Sequence, residues 1–457
     1  METPDWDGCL EKVLGTGSPG RWIIDRPHVR RDVTAYIVPS FGNDALLFSV
    51  PVLFPRNLNN EIPLDPAGAD GAVHAVIERI KQRAHHVSAL GPLIASGTQF
   101  PNRYDAIVEP YTVIHSKEAI GSHLWHPDER NFCDGDGLHL LIRGALPYPP
   151  TGTSHAIHRL TEVLLGLFDA VWQETESVPA HVLTDSWELS LDQKKLRNML
   201  PSLGLVAFVG DGAKPARSCS RHRCFFRTAG KKEGTNIAFT CPRELTPVEI
   251  DLPATNERIT GLGIKKREVF AVTGSNAQGK TTFLSGIIAG MDDHAAGDGR
   301  EYIVTVRGVQ TAEAMNCELK GADISMFFTK LPPGIEGTVK AAYGMGSGSM
   351  TMASMIQKAI ASRAPLLIID EDRAAPNLLV RSCIQNEDVI PLAELLAHNR
   401  AGTGDTAILF AACAMDTLIA RADRIMVLDN HAAGAIDRAA FVALLKESLL
   451  RTAGKLG

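Results

Sequence analysis

The most specific chemistry in the sequence lies in nine consecutive residues: Gly274, Ser275, Asn276, Ala277, Gln278, Gly279, Lys280, Thr281 and Thr282. The first eight fit the pattern G-x-x-x-x-G-K-[ST], a loop whose backbone N–H groups cradle phosphate oxygens. Lys280 is then the cation for the β- and γ-phosphates, and the Thr281 hydroxyl a ligand of Mg²⁺. Gly274 and Gly279 suit the unusual backbone angles and the close approach of a ligand. The cofactors expected from this loop are ATP and Mg²⁺. A second set follows about 90 residues later, where Leu366-Leu367-Ile368-Ile369 runs into Asp370-Glu371-Asp372. An apolar run tipped with acids predicts a core parallel strand that delivers them at its C-terminal edge, where α/β sheets bind ligands. Asp370 would hold the metal through water. Glu371 would polarise the water that attacks the γ-phosphate. A third set, Gly346-Ser347-Gly348-Ser349, opens a helix candidate over 350–361 and forms a second anion cradle at a helix N-terminus.

These residues need a strand–loop–helix frame, and the surrounding sequence supplies one. Val269–Thr273 is a short apolar strand before the loop, and 282–288 continues as a helix. Residues 203–210, 301–306, 406–413 and 424–429 read as further buried strands, and 437–450 as a terminal helix capped by Asp437. Upstream, 32–38, 45–54, 106–115 and 138–146 read as strands, 72–89 as a helix, and 57–71 as a Pro/Asn/Asp/Gly loop. Ser154 is a candidate cap for a long helix whose apolar face runs Ile157, Leu160, Leu164, Leu167, Phe168 and Val171. A second helix is predicted over 190–200, stopped by Pro201.

At 457 residues the chain has room for about two or three domains. Its apolar and charged fractions, 45% and 21%, are those of an ordinary soluble globular protein. A net charge of −6 argues against a globally basic nucleic-acid binder but leaves room for a local basic surface. No apolar run approaches the ~18–20 residues needed to cross a bilayer. The acidic start, Met1 to Asp7, lacks a signal-peptide core. The eight cysteines are scattered, which suggests reduced thiols. The expected compartment is cytoplasmic, with the mitochondrial matrix as the alternative.

Ser347 precedes Asp370 by 23 residues (370 − 347), and the order of the three sets resembles that of ABC-class ATPases. The resemblance implies that the Gly/Ser loop of one subunit presses on the γ-phosphate held by its partner, so that the site is completed in a head-to-tail homodimer. The sequence is more specifically similar to the bacterial family described as predicted ATPases of the ABC class, which has a kinetoplastid mitochondrial relative associated with RNA editing. The residues that carry the likeness include Gly204 to Ala213, Ile259 to Ile264, Gly297 to Glu301, Ala322 to Ser325, Leu331 to Gly334 and Ser347 to Ser349. The similarity is good from about residue 100 to 430. There are departures. The loop Ser275-Asn276-Ala277-Gln278 is closer to mainstream ABC loops than to the glycine-richer loop of that family. Arg373 stands where the family has Thr, and Pro376 precedes the retained Asn377. Cys413 takes the place of the switch His of transporter ATPases, a residue the relatives also lack.

Arg217, Arg221, His222, Arg223, Arg227, Lys231 and Lys232 surround Phe225 and Phe226, a mixture that suits single-stranded nucleic acid as well as a solvated loop. Cys219 and Cys224 flank His222, with Cys241 the nearest further thiol; the set lacks the spacing of a zinc site, and the cysteines read as free thiols. The fold expected is an α/β ABC-type P-loop ATPase with a mixed sheet over 201–435, preceded by an α+β domain over 1–200 and followed by a C-terminal helix over 436–457. The function expected is a homodimeric ATPase coupled to a client, with RNA or a ribonucleoprotein as the candidate. The alternative is an ATP-binding, RNA- or ribosome-associated module with negligible turnover.

Overall fold

The five residues Val269–Thr273 carry four buried side chains in succession, as a strand covered on both faces must. They occupy an inner place in a six-stranded sheet, ordered Gln310–Ala312, Leu366–Asp370, Ala407–Ala411, Val269–Thr273, Arg424–Asp429 and Ala432–Ile436. The first five run parallel and the last is antiparallel, so the sheet is mixed. Its C-terminal edge therefore gathers the residues that follow strands 269–273, 310–312 and 366–370, which places Gly274, Glu313 and Asp370–Glu371 on one side of the sheet. The antiparallel edge closes through Asn430 and His431, both in the left-handed region, as a two-residue hairpin turn demands.

The structure is a computed structural model that describes residues 5–16, 20–24, 33–39, 45–62, 64–84, 86–94, 96–98, 106–107, 127–150, 152–219, 226–228, 237–384 and 388–456. The chain divides into two compact units, Met1–Asp192 with Ser218–Arg227 and Gln193–Arg217 with Thr228–Gly457. No described helix is long and apolar enough to cross a membrane.

The first unit is α+β. Its sheet is antiparallel, ordered Gly20–Ile24, Val33–Pro39, Ala45–Phe54, Leu138–Pro147 and Phe132–Cys133. The helix expected over 72–89 runs Ala69–Arg83. Its Gly71 passes so close to the helix Ala180–Met199 that an added Cβ would lie 1.8 Å from the Ser186 carbonyl oxygen. Glu174, mostly buried, is held by Arg79 at 3.1 Å and Arg83 at 3.0 Å. The long helix is Ser154–Glu176, but its cap is Thr153, whose hydroxyl accepts from the Ala156 N–H; Ser154 is already helical. The helix expected at 190–200 begins earlier and runs Ala180–Met199, with its residues up to Asp192 in this unit. Only Ala106–Ile107 of the strand expected over 106–115 falls within the described residues.

The second unit adds two smaller sheets. One is antiparallel, ordered Val248–Asp251, Arg258–Lys265, Leu205–Gly210 and Ile303–Thr305; the other comprises Cys317–Ala322, Ala341–Gly346 and Glu336–Thr338. A buried ion pair stitches the first of these to the parallel sheet. Arg424 meets Glu268 through Nε (2.5 Å) and Nη2 (2.8 Å), donates to the Gly263 carbonyl at 2.6 Å, and lies 5.1 Å over the Phe270 ring. Asp437 caps the terminal helix Arg438–Leu456, accepting from the N–H groups of Ala439 and Ala440.

Asp423 fixes the entry to the phosphate-loop strand: its carboxylate accepts from the Val269 N–H at 2.9 Å and from Arg400 Nη1 at 2.7 Å. Burial pulls this carboxyl upward, but the Arg400 and Val269 hydrogen bonds outweigh it and hold it below the usual range. The stabilisation is thus present above the unfolded-state carboxylate value and is lost as pH falls through the lower folded-state value. Asp423→Asn is expected to cost about 1–2 kcal/mol at pH 7. In urea titrations the gap to wild type should close as the solution is acidified; a gap independent of pH would contradict this role.

Candidate nucleotide site

The loop leaves its strand at Gly274 with φ +134°, where an added Cβ would lie 2.2 Å from the Leu428 carbonyl oxygen. Ala277 (φ +61°) and Gly279 (φ +98°) complete the left-handed path, and Gly279 caps the helix Lys280–Ala289. This geometry turns successive N–H groups and the helix N-terminus toward one concavity. Lys280 Nζ arches over the loop and donates to the carbonyls of Gly274 and Ser275, each at 2.8 Å. The Thr281 hydroxyl donates to Asp370 Oδ2 at 2.7 Å, which joins the helix start to the acid-tipped strand. Asp370 Oδ1 also accepts from the Asp372 N–H at 3.3 Å. Glu371, the next residue, accepts from the backbone N–H groups of Cys413 and Ala414.

A cavity of ≈430 Å³ runs over the loop. It is lined by residues 276–283, by Asp372, Leu428 and His431, and by an apolar wall of Pro215, Ala216, Ile237 and Phe239. His431 sits against the helix N-terminus, with its Nδ1 3.7 Å from where a Cβ on Gly279 would be, and its N–H donates to Gln278 Oε1 at 3.3 Å. The wall residues, Glu313 and His431 carried no motif in the sequence. The one available signal was the run of family-like positions from 204 to 213, which leads directly into Pro215.

The third set stands apart. Ser347 is the N-cap of the helix Gly348–Ala361, so Gly348 and Ser349 belong to the helix's first turn and not to a loop before it. Ser349 Oγ donates to Asn377 Oδ1 at 2.7 Å. None of Ser347, Gly348 and Ser349 lines the cavity over the phosphate loop. Arg373 pairs with Glu313 at 2.8 Å, and this partner raises its pKa above the ordinary arginine value. The basic stretch 217–232 lies outside the described residues except for the backbone of 217–219 and 226–228, and Cys219, His222 and Cys224 lie within it. Burial, with help from Asp211, pushes the Cys241 thiol up to about 11, which disfavours the thiolate a metal would need. Among the described residues no group of three His, Cys, Asp or Glu is placed to hold a metal.

A family model of the ABC ATPase P-loop domain matches residues 179–450. The chain belongs to the ABC ATPase P-loop domain family. ATP binding comes with that membership. An uncharacterized protein of Methanocaldococcus jannaschii is 39% identical over 390 residues, which is 85% of each chain. Among solved structures, cbiO1 from Clostridium perfringens, part of an ABC transporter complex, is 15% identical and covers 55% of this chain and 94% of its own, with a TM-score of 0.33. The ADP conformation of an ATP-binding cassette of an ABC transporter is 13% identical over 53% and 95%, with a TM-score of 0.30.

The contact at Gly274 generates a test. Gly274→Ala puts a methyl group into the Leu428 carbonyl and should cost well over 1 kcal/mol and abolish nucleotide binding. Gly297→Ala, at φ +80° but with nothing within 4 Å, isolates the backbone strain and should leave binding intact. Thermal melts and nucleotide titrations of the two variants compare them; equal effects would remove the steric argument.

Proposed function

We propose that the chain is an ATP hydrolase whose two sites are completed in a head-to-tail homodimer. One observation supports it above the others: the Thr281 hydroxyl and the Asp370 carboxylate lie 2.7 Å apart, with Glu371 the first residue after the strand. These are hard oxygen donors, the type Mg²⁺ takes, and two protein oxygens suit an ion that keeps phosphate and water ligands. Mg²⁺ held by Thr281 and Asp370 would neutralise charge on the phosphate oxygens. The loop from Gly274 to Thr282, Ser275, Asn276, Ala277, Gln278 and Gly279 included, binds the polyphosphate through its N–H groups. Lys280 exchanges its contacts with the Gly274 and Ser275 carbonyls for β- and γ-phosphate oxygens. Glu371 accepts a proton from water as the water oxygen bonds to the γ-phosphorus. The bond to the β–γ bridging oxygen breaks, and its electron pair leaves with ADP.

Ser347, Gly348 and Ser349 point to the dimer in this reading, since they form a second anion cradle away from the cavity of their own chain. ATP would close two copies on each other and hydrolysis would release them, a switch biased by the γ-phosphate. The client we propose is RNA or a ribonucleoprotein, from the mixture of Arg, Lys and Phe over 217–232. A second reading, ATP binding with negligible turnover, is favoured by the hold of the Cys413 and Ala414 N–H groups on Glu371.

Glu371→Gln separates the two readings. It should keep ATP affinity and lower phosphate release by at least 10²-fold. Undiminished release in the variant would sink the assignment of Glu371, whereas ATP binding with no release by the wild-type chain would favour the second reading.

A further inference from the structure

The hairpin that closes the mixed sheet carries an imidazole where a glycine would fit better. Asp429 pairs with Ala432, so Asn430 and His431 are the two residues of the turn, with φ +47° and +64°. A two-residue turn of this hand favours glycine at its second position, and histidine adopts that backbone at a conformational cost. What the neighbouring loop takes from His431 is its backbone. The N–H donates to Gln278 Oε1 at 3.3 Å, a bond that any residue except proline would make. The side chain is exposed, and among the described residues neither ring nitrogen has a hydrogen-bond partner. The turn alone therefore gives no reason for this ring.

The ring does have a direction. Its Nδ1 lies 3.7 Å from where a Cβ on Gly279 would be, so it stands over the residue that caps the phosphate-loop helix. It lines the cavity together with residues 276–283. Of the other ionisable side chains in that lining, the Asp372 carboxylate only accepts and repels an anion, and Lys280 belongs to the loop itself. The helix N-terminus, the Lys280 ammonium and the His431 ring thus bring donors to one concavity, and an anion with several oxygens is what satisfies them together.

Strand order indicates which part of that anion the ring meets. Asp370 and Glu371 end a strand two places from the phosphate-loop strand on one side, whereas His431 follows the strand bonded to it on the other. Metal and attacking water belong with the acids, and the γ-phosphate with them. The ring reaches the loop from the opposite flank. We propose that His431 is a ligand of the nucleotide: an imidazole N–H donates to a phosphate oxygen of the part that ATP and ADP share, so that the hairpin and the loop hold the diphosphate between them. This inference rests on the nucleotide reading above and adds a residue that no motif contains. Its contribution is to the affinity for ATP and ADP alike, and not to cleavage of the γ-phosphate.

The test is calorimetric titration of the full chain in Mg²⁺ with ATP and with ADP, for the wild type, His431→Gly and Asn430→Gly. His431→Gly removes the ring and keeps the N–H that meets Gln278. Glycine relieves the left-handed strain, which offsets the extra freedom of the unfolded chain, so the melting temperature should stay close to that of wild type. Affinity for both nucleotides should fall by the same factor, about 10-fold or more, as for loss of a hydrogen bond to a charged group. Asn430→Gly alters the same turn without touching the ring and should bind as the wild type does. Unchanged affinity in His431→Gly overturns the assignment. So does an equal loss in Asn430→Gly, or a melting temperature well below wild type in His431→Gly, since the ring then acts through the turn. A loss confined to ATP overturns the placement on the shared diphosphate. No binding of either nucleotide by the wild-type chain sinks the underlying reading instead. The readout is affinity, so it applies whether or not the chain turns ATP over.

Discussion

The second unit turns on the close approach of two inner parallel strands at their C-terminal ends. Val269–Thr273 is bonded on one side to Ala407–Ala411 and on the other to Arg424–Asp429, so neither flank can open without breaking a ladder. Where it ends, the chain must turn under the Leu428 carbonyl, and only a residue without a Cβ passes. The phosphate loop is therefore an outcome of sheet packing as much as of its own sequence. The same strand is pinned at its start, where Asp423 holds the Val269 N–H and the buried Arg424–Glu268 pair holds the neighbouring antiparallel sheet. A buried pair of this kind is weak as a source of net stability, but loss of one partner is costly. Its effect here is to fix which sheet lies against the strand.

From the acid-tipped strand a chain of contacts leads to the Gly/Ser helix. The Ala314 N–H donates to the Arg373 carbonyl at 2.7 Å while Arg373 and Glu313 pair through their side chains. One residue on, the Thr351 hydroxyl accepts from the Met315 N–H and donates to the Met315 carbonyl. Asn377 then meets Ser349. Arg373 beyond the acid-tipped strand and Ser349 in the first turn of the Gly/Ser helix are thus parts of one network within a single chain. Arg373, which looked like a departure from the family pattern, occupies the middle of it. Its exposed ion pair contributes little energy by itself. The backbone bond beside it fixes the path of the loop.

The parallel core was legible because its strands are short apolar runs with chemistry at their ends. Val269–Thr273 and Arg424–Asp429 were read to the residue, and the strand at 366–370 to within one. Cys317–Ala322 and Ala341–Gly346 were not, since Glu318, Lys320, Gly321, Gly344 and Gly346 break the apolar alternation that marks a strand. Their pairing is set by each other and by the helix that follows, which a local reading does not see. Helix starts slipped for a local reason: Thr153 and Ser154 are equally good caps on paper, and only the backbone decides between them. The loop and its acids were visible as motifs, whereas Pro215, Ile237 and Phe239 were not, because apolar residues near a turn look the same in a core and in a pocket wall.

That wall explains blocks of sequence that have no chemistry of their own. Asp211 takes the Cys241 N–H on its carboxylate and gives its own N–H to the Thr260 carbonyl, which braces the segments carrying Pro215 and Phe239. Gly299 meets Lys214 at φ +90°, where its missing Cβ would crowd the Lys214 side chain at 3.0 Å, and Arg300 takes the Pro215 carbonyl. Positions near 210, 260 and 300, far apart in sequence, thus converge on four hydrocarbon side chains. These hydrogen bonds tie together the segments that carry Pro215 and Phe239.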